Sequence, residues 1–186
     1  MTIHLTELRL NHAGRSLLSD TQKVHRSVMW AVGGDARTQW ASPRRDILII
    51  QSSRPVRASD FDGVVIESHS VEKPLDIDGA VELSLIGFPT RSAPTNGRGK
   101  IQLLPMDRWE PWLRRKLSPA VSLDRVAVQD LGPRTGVRHG GRVVHRWVGF
   151  SATGVVTDPS LLRTMLTDGV GRGKAYGCGL LLAVPA

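Results

Sequence analysis

One cysteine, one tyrosine, three phenylalanines and five lysines are all that this chain of 186 residues holds of those types. The lone Cys178 excludes an internal disulfide framework and fits a reducing compartment, so a cytoplasmic protein is expected. Set between two glycines ahead of an apolar run, Cys178 reads as a small buried residue; a nucleophile or ligand is the other reading. His4, His12 and His69 have no metal-ligand spacing, and one cysteine makes no zinc site, so neither a metal nor a cofactor is expected. Long apolar runs are also missing. Nothing approaches the roughly 20 residues that cross a bilayer, and no basic-then-apolar leader opens the chain.

What is present instead is arginine. Twenty arginines join the five lysines against 17 acidic residues, for a formal charge of +8. The guanidinium fork pairs bidentately with phosphate oxygens, so an excess of this kind points to a polyanionic partner. Nucleic acid fits better than an anionic membrane, because no basic amphipathic anchor accompanies the charge. The length suits one large domain or two small ones.

Periodicity orders the chain. "TIHLTELRL" alternates as a half-buried strand. In "LLSDTQKVHRSVMWAVGG", Ser19 and Gln22 have capping-box spacing, Asp20 suits the first turn, and Gly33–Gly34 end the helix. Its apolar stripe is Val24, Val28, Ala31 and Val32. "DILIIQSS" is a strand, an ambiguous passage follows, and "GAVELSLIGF" is another strand. "PTRSAPTNGRG" reads as a linker, dividing the chain into domains at 1–92 and 93–186. Beyond it come the strand "KIQLLP", the helix "MDRWEPWLRRKL" opened by Asp107, and the strands "LDRVAVQDL" and "GRVVHRWVGFSATGVV". The helix "DPSLLRTMLTDG" has Asp158 as cap, Pro159 at its first position and Gly169 past its end. "CGLLLAVP" closes the chain. This is the β-α-β-β-α-β order of the ferredoxin-like motif.

The loop "DGVGRGKAYGCG" carries five glycines. It is no phosphate-binding P-loop, since Gly173-Lys174 is followed by Ala175, and no dinucleotide fingerprint, since a helix precedes it. A plain helix-to-strand connection needs one or two such glycines. Five of them, with Arg172 and Lys174 interleaved, read as a concavity of peptide N–H groups shaped to lie against a phosphodiester backbone.

"GVGRGKAYGCGLL" resembles the signature of the CRISPR repeat-processing endoribonucleases, and "HRSVM" in an N-terminal helix is similar to the CasE branch, the RNA-cutting subunit of type I-E Cascade. The likeness covers nearly the whole chain. It implies an α+β fold of two tandem ferredoxin-like (RRM-like) βαββαβ domains. It also implies metal-independent cleavage of precursor CRISPR RNA at the 3′ base of a repeat hairpin. The products would be a 2′,3′-cyclic phosphate and a 5′-hydroxyl, with the crRNA retained among other Cascade subunits. A non-catalytic module binding an RNA hairpin, or a ribosomal protein, would share the charge without needing His25.

By pattern alone His25, at the margin of the apolar stripe, is a boundary residue; the resemblance makes it the general acid/base. Imidazole titrates near neutrality and serves either proton transfer. Some relatives carry a tyrosine three residues earlier, where this chain has Gln22, which shares the helix face but cannot supply a phenol. Tyr176, in the glycine loop, either compensates or packs. Arg142 stands where relatives have a basic residue near the scissile phosphate; Arg26 projects away from His25. In "DRWEPWLRRKL" the tryptophans Trp109 and Trp112 read as core. Arg108, Arg114, Arg115 and Lys116 form a basic ridge, either merely solvated or contacting the phosphates of a stem. Gly171, Arg172, Gly173, Lys174 and Tyr176 of the loop would line the same RNA, with Arg91, Arg98 and Lys100 adding backbone contacts. His139 and His145 lie near a basic strand.

Overall fold

The alternation of HLTELRL folds as β1 (His4–Leu10), with Leu8 and Leu10 buried and Glu7 and Arg9 facing solvent. A computed structural model of the chain describes residues 3–35, 37–61, 63–93, 100–138 and 141–186. After β1 come α1 (His12–Leu17), α2 (Thr21–Ala31), β2 (Gln39–Arg44), β3 (Ile47–Ser52) and β4 (Val65–Glu72). These strands form one antiparallel sheet in the order β2-β3-β1-β4. Taken within the unit, this is the ferredoxin-like arrangement with α2 packed on one face. Between β3 and β4, where the motif has its second helix, the described chain makes only a single 3-10 turn at Ala58–Asp60. Val56 and Phe61 on either side of that turn fill the core in its place.

The second sheet is built from β5 (Ala80–Gly87), β8 (Val121–Arg138), β9 (Gly141–Val156) and β10 (Leu181–Pro185), in the order β10-β5-β9-β8. Two helices, α3 (Trp109–Leu117) and α4 (Pro159–Asp168), complete a full βαββαβ unit. The sequence reading misplaces two strands here. β5 pairs with β9 and β10, so the change of sheet falls before Ala80 and not at the 92/93 division. "KIQLLP" is not the first strand of the second unit: β7 (Lys100–Leu103) pairs only with β6 (Thr90–Ala93), in a hairpin between β5 and α3. The physical reason is burial. Val81, Leu83 and Leu85 pack among Trp112, Leu113, Phe150 and Leu166 in the second core, whereas Ile101 and Leu103 stay exposed. Arg98 and the side chain of Lys100 lie outside the described residues.

The cores meet. Ile86, Trp147, Cys178 and Leu180, all from the second unit, pack among Leu8, Val28, Trp40 and Ile50 of the first. Polar bonds close the seam: Gln39 and Gln51 each donate from Nε2 to the Thr167 carbonyl, at 2.7 and 2.8 Å. Buried Lys73 donates to the carbonyls of Leu166 (2.7 Å) and Leu181 (2.8 Å) and to Gln51 Oε1. The end of α4, which would otherwise leave carbonyls without partners, is thus satisfied from the other sheet. Burial pulls the Lys73 pKa down to about 7.

Candidate active site

Helix α2 is nucleated where the sequence places it, but its cap is Asp20, not Ser19. Asp20 Oδ1 accepts from the backbone N–H groups of Gln22 (2.9 Å) and Lys23 (3.3 Å), while the Ser19 hydroxyl donates backwards to the Ser16 carbonyl. A carboxylate outcompetes a hydroxyl at this position because the bond to it is charge-assisted. Thr21, Val24, Val28 and Ala31 form the buried stripe. His25 lies at its edge, half-buried, with Nδ1 sealed from solvent and without a partner. Among the described residues no hydrogen bond holds Nε2, so that nitrogen is the one open to a ligand. Burial lowers the His25 pKa below its ordinary 6.5, and the imidazole is neutral at pH 7.

Opposite the start of α2 stands a two-stranded ribbon. β9 pairs with β5 only from Val148 onward, so the ends of β8 and β9 on the far side of Trp147 project beyond the sheet. The sequence reading stops this strand at Leu131. It continues because β8 is an edge strand, where Pro133 leaves no ladder bond unmade, and the register shift at Gly132 (φ 80°) re-aims it. The ribbon docks on α2: Thr21 Oγ1 donates to the Thr135 carbonyl (3.2 Å), Thr135 Oγ1 to the Ser19 carbonyl (3.3 Å), and Val137 N–H to Asp20 (3.4 Å). Gly136 permits this approach, since a Cβ there would stand 2.7 Å from Thr21 Oγ1.

Alternation along the ribbon decides which cation faces the helix. Gly136 faces α2, and Arg134 and His145, cross-strand partners two residues along, share its face. Arg142 is paired with Val137, one residue out of phase, and is exposed on the opposite face. The arginine on the face towards α2 is therefore Arg134, and Arg142 lies on the other face. Its guanidinium lies over the Trp147 ring, 5.0 Å from the centroid. His145 is buried, its Nδ1 also sealed and unpartnered, and its ring stacks on Tyr176 with centroids 3.8 Å apart. Phe88 meets His145 edge-on at 5.0 Å, and Trp147 Nε1 donates to the Tyr176 carbonyl at 3.0 Å. Neither Arg134 nor His145 is singled out by local pattern. Their phase relative to Gly136 is the only signal, and it is visible only once the strand is known to continue past Pro133.

The glycine loop completes the wall, with its Lys174–Tyr176 turn packed against α2. All five glycines adopt positive φ, yet what comes close to them is the protein itself. A Cβ at Gly171 would lie 2.9 Å from the Trp112 ring, and one at Gly177 would lie 2.5 Å from Trp40 and 2.7 Å from Trp147. A Cβ at Gly173 would meet Cys178 Cβ at 3.3 Å. Gly171 and Gly173 thus make room for inward neighbours, while the side chains of Arg172 and Lys174 are exposed. Arg172 Nη2 donates to Ser92 Oγ at 3.0 Å. Cys178 is buried and its thiol pushed up by burial, which fits a packing residue and not a nucleophile.

On α3 the tryptophans are core, as read, and Trp109 Nε1 donates to the Leu104 carbonyl. The helix starts at Trp109 after a 3-10 turn at Met106–Arg108, so Asp107 does not cap it. Arg114 leaves the ridge: it pairs with Glu110 at 2.9 Å and donates to the Leu123 carbonyl at 2.7 Å, tying α3 to β8. Arg114→Ala is expected to lower the unfolding free energy by about 1–2 kcal/mol, read from urea denaturation. No change in stability would return Arg114 to the surface set. Arg108, Arg115 and Lys116 are exposed.

The family model described as CRISPR associated protein matches residues 3–185. The chain belongs to that family. Its fold superposes on the CRISPR endoribonuclease Cse3 bound to a 19-nucleotide RNA, with a TM-score of 0.80 and 26% identity over 99% of this chain and 98% of that one. Thermus thermophilus Cse3 bound to an RNA representing a pre-cleavage complex matches at 25% identity and a TM-score of 0.80, covering 100% of both chains. A chain of a CRISPR RNA-guided surveillance complex shares the fold at 20% identity and a TM-score of 0.71, over 98% of this chain and 100% of that one. No curated protein sequence matches. These likenesses support a CasE-family protein, and an endoribonuclease. In this chain α2, the ribbon and the glycine loop converge on one corner, with Gln22 one turn before His25 on α2.

Proposed function

We propose that this CasE-family protein binds a CRISPR repeat hairpin and cuts the precursor RNA at the 3′ base of the stem, without a metal, retaining the product among Cascade subunits. The observation that carries the reading is His25: neutral, with Nε2 open, on a helix walled by an arginine-bearing ribbon and a basic loop. Support for RNA as substrate comes from the RNA-bound Cse3 structures, and support for the assembly from the surveillance complex that contains a chain of this fold.

The chemistry uses the nucleophile that RNA carries. His25 Nε2 accepts the proton of the 2′-hydroxyl, the 2′-oxygen attacks phosphorus, and the bond to the 5′-oxygen breaks with a proton delivered to that oxygen. A 2′,3′-cyclic phosphate and a 5′-hydroxyl result. In-line geometry puts the leaving oxygen on the far side of phosphorus, so its proton comes from a second group. Gln22 has no transferable proton near neutrality. Tyr176, on the turn packed against α2, is the candidate donor, and Arg134 the candidate for stabilising charge at phosphorus. Arg108, Arg115, Lys116, Arg172 and Lys174 would contact the backbone of the stem.

The lowered His25 pKa gives a pH test. The base works unprotonated, so the second-order cleavage rate should fall on the acid side with a midpoint below 6.5. A midpoint above 6.5 for the acidic limb would contradict a base desolvated in this way. The substitution at Gln22 also favours a second reading, a hairpin-binding module that does not cut. Incubating the protein with labelled repeat hairpin in EDTA separates the two: cleavage supports the nuclease, and an intact but bound RNA the module.

A further inference from the structure

Beside the start of α2 is a cavity of about 430 Å³ lined by four arginines: Arg15 from α1, Arg44 at the end of β2, Arg45 from the β2–β3 turn, and Arg134 from the ribbon. Among the described residues no carboxylate lines it. Arg44 approaches Asp46 only at 3.9 Å, and among the described residues no ion pair holds Arg15, Arg45 or Arg134. Arg134 is half-buried over Trp147, where burial and the Arg45 charge both disfavour its protonated form. Four arginines lining one hollow, three of them exposed, bring like charges together. A folded protein tolerates this where an anion relieves it, and guanidinium forks match the oxygens of a phosphodiester.

We infer that this arginine cavity seats phosphodiester groups of the single RNA strand flanking the cut, apart from the stem-binding ridge. The inference rests on the RNA-cleaving reading and adds a subsite to it. Location and shape support a flanking strand. The cavity is bordered by Ser19, next to the Asp20 cap of α2, and His25 lies about 7.5 Å along that helix from the cap at 1.5 Å per residue, within a nucleotide or two. It lies between Pro133–Thr135 of the ribbon and Ser42–Arg45 at the β2–β3 turn, and a hollow of about 430 Å³ is far smaller than a duplex stem. The exposed arginines of α3 lie on the other unit.

The test compares two RNAs, the repeat hairpin alone and the hairpin with its single-stranded flanks, with His25→Ala in every protein so that the RNA stays intact. The flanks should raise the affinity of the parent protein about tenfold. Arg15→Ala/Arg45→Ala should abolish that gain, leave hairpin affinity unchanged, and reduce the slope of log K against log salt by about 0.7 for each phosphate no longer neutralised. Arg44→Ala/Arg45→Ala, in which both side chains are likewise exposed, provides a second variant that should also abolish the gain. Unchanged flank gain and salt slope in both variants would overturn the inference. So would an equal fall in affinity for both RNAs, which would make the cavity part of the stem-binding surface. If the parent binds neither RNA, it is the proposed function that fails.

Discussion

His25→Ala is expected to slow cleavage of a cognate repeat by about 100- to 10,000-fold in EDTA, the usual worth of one acid–base group, while RNA affinity stays at the parent value. The split between rate and binding is what the geometry requires. The imidazole sits at the edge of the α2 stripe with its Nδ1 sealed, and among the described residues no hydrogen bond ties it to the fold. Its loss removes neither a cap nor a cross-sheet contact, since Asp20 and Thr21 make those. The cations assigned to the RNA stand on other elements. Single-turnover cleavage and filter binding on the same preparation measure both quantities. Parent-level cleavage by the variant would sink the mechanism, and a parallel fall in affinity would make His25 a binding residue.

Gly177→Ala should produce the largest loss of stability. The residue has φ 78° and ψ 22°, which costs about 1–2 kcal/mol for any side chain. Its new methyl would stand 2.5 Å from Trp40 and 2.7 Å from Trp147, and relieving such overpacking costs about 1–3 kcal/mol more. The sum, about 2–5 kcal/mol, corresponds to a fall in melting temperature of roughly 5–20 °C for a chain of this size. Gly34→Ala is the control. It has the same φ of 78° but nothing within 4 Å of the added atom, so it should show only the backbone part. Equal shifts in the two variants would mean that the contact with the tryptophans matters little. Since Trp147 also bonds the Tyr176 carbonyl, Gly177→Ala should slow cleavage as well.

Helix α4 shows how far local sequence reaches. Asp158 accepts from Ser160 and Leu161 N–H, Pro159 opens the first turn, and Gly169 ends it with positive φ, all as the residues "DPSLLRTMLTDG" dictate. The stripe of α2 and the extent of β9 were legible in the same way, because each rests on neighbours within a turn or on simple alternation. β5 and β7 were not. Both alternate acceptably, and what separates them is whether Val81, Leu83 and Leu85, or Ile101 and Leu103, find a core to enter. The basic ridge failed at one residue for a related reason. Arg114 resembles Arg115 in the sequence, but it alone reaches Glu110 and the Leu123 carbonyl.

Sequence by itself determined the helix that carries His25, the excess of arginine, the glycine-rich tail and the family signature. These rest on residues close in the chain or on composition. Tertiary structure alone decided that Arg134 and not Arg142 faces α2, that the glycines admit tryptophans, and that four arginines share one cavity. Those outcomes depend on strand register and on burial between residues such as Thr21 and Thr135, 114 positions apart. Pairing at that separation is selected by the whole packed core, and no local preference encodes it.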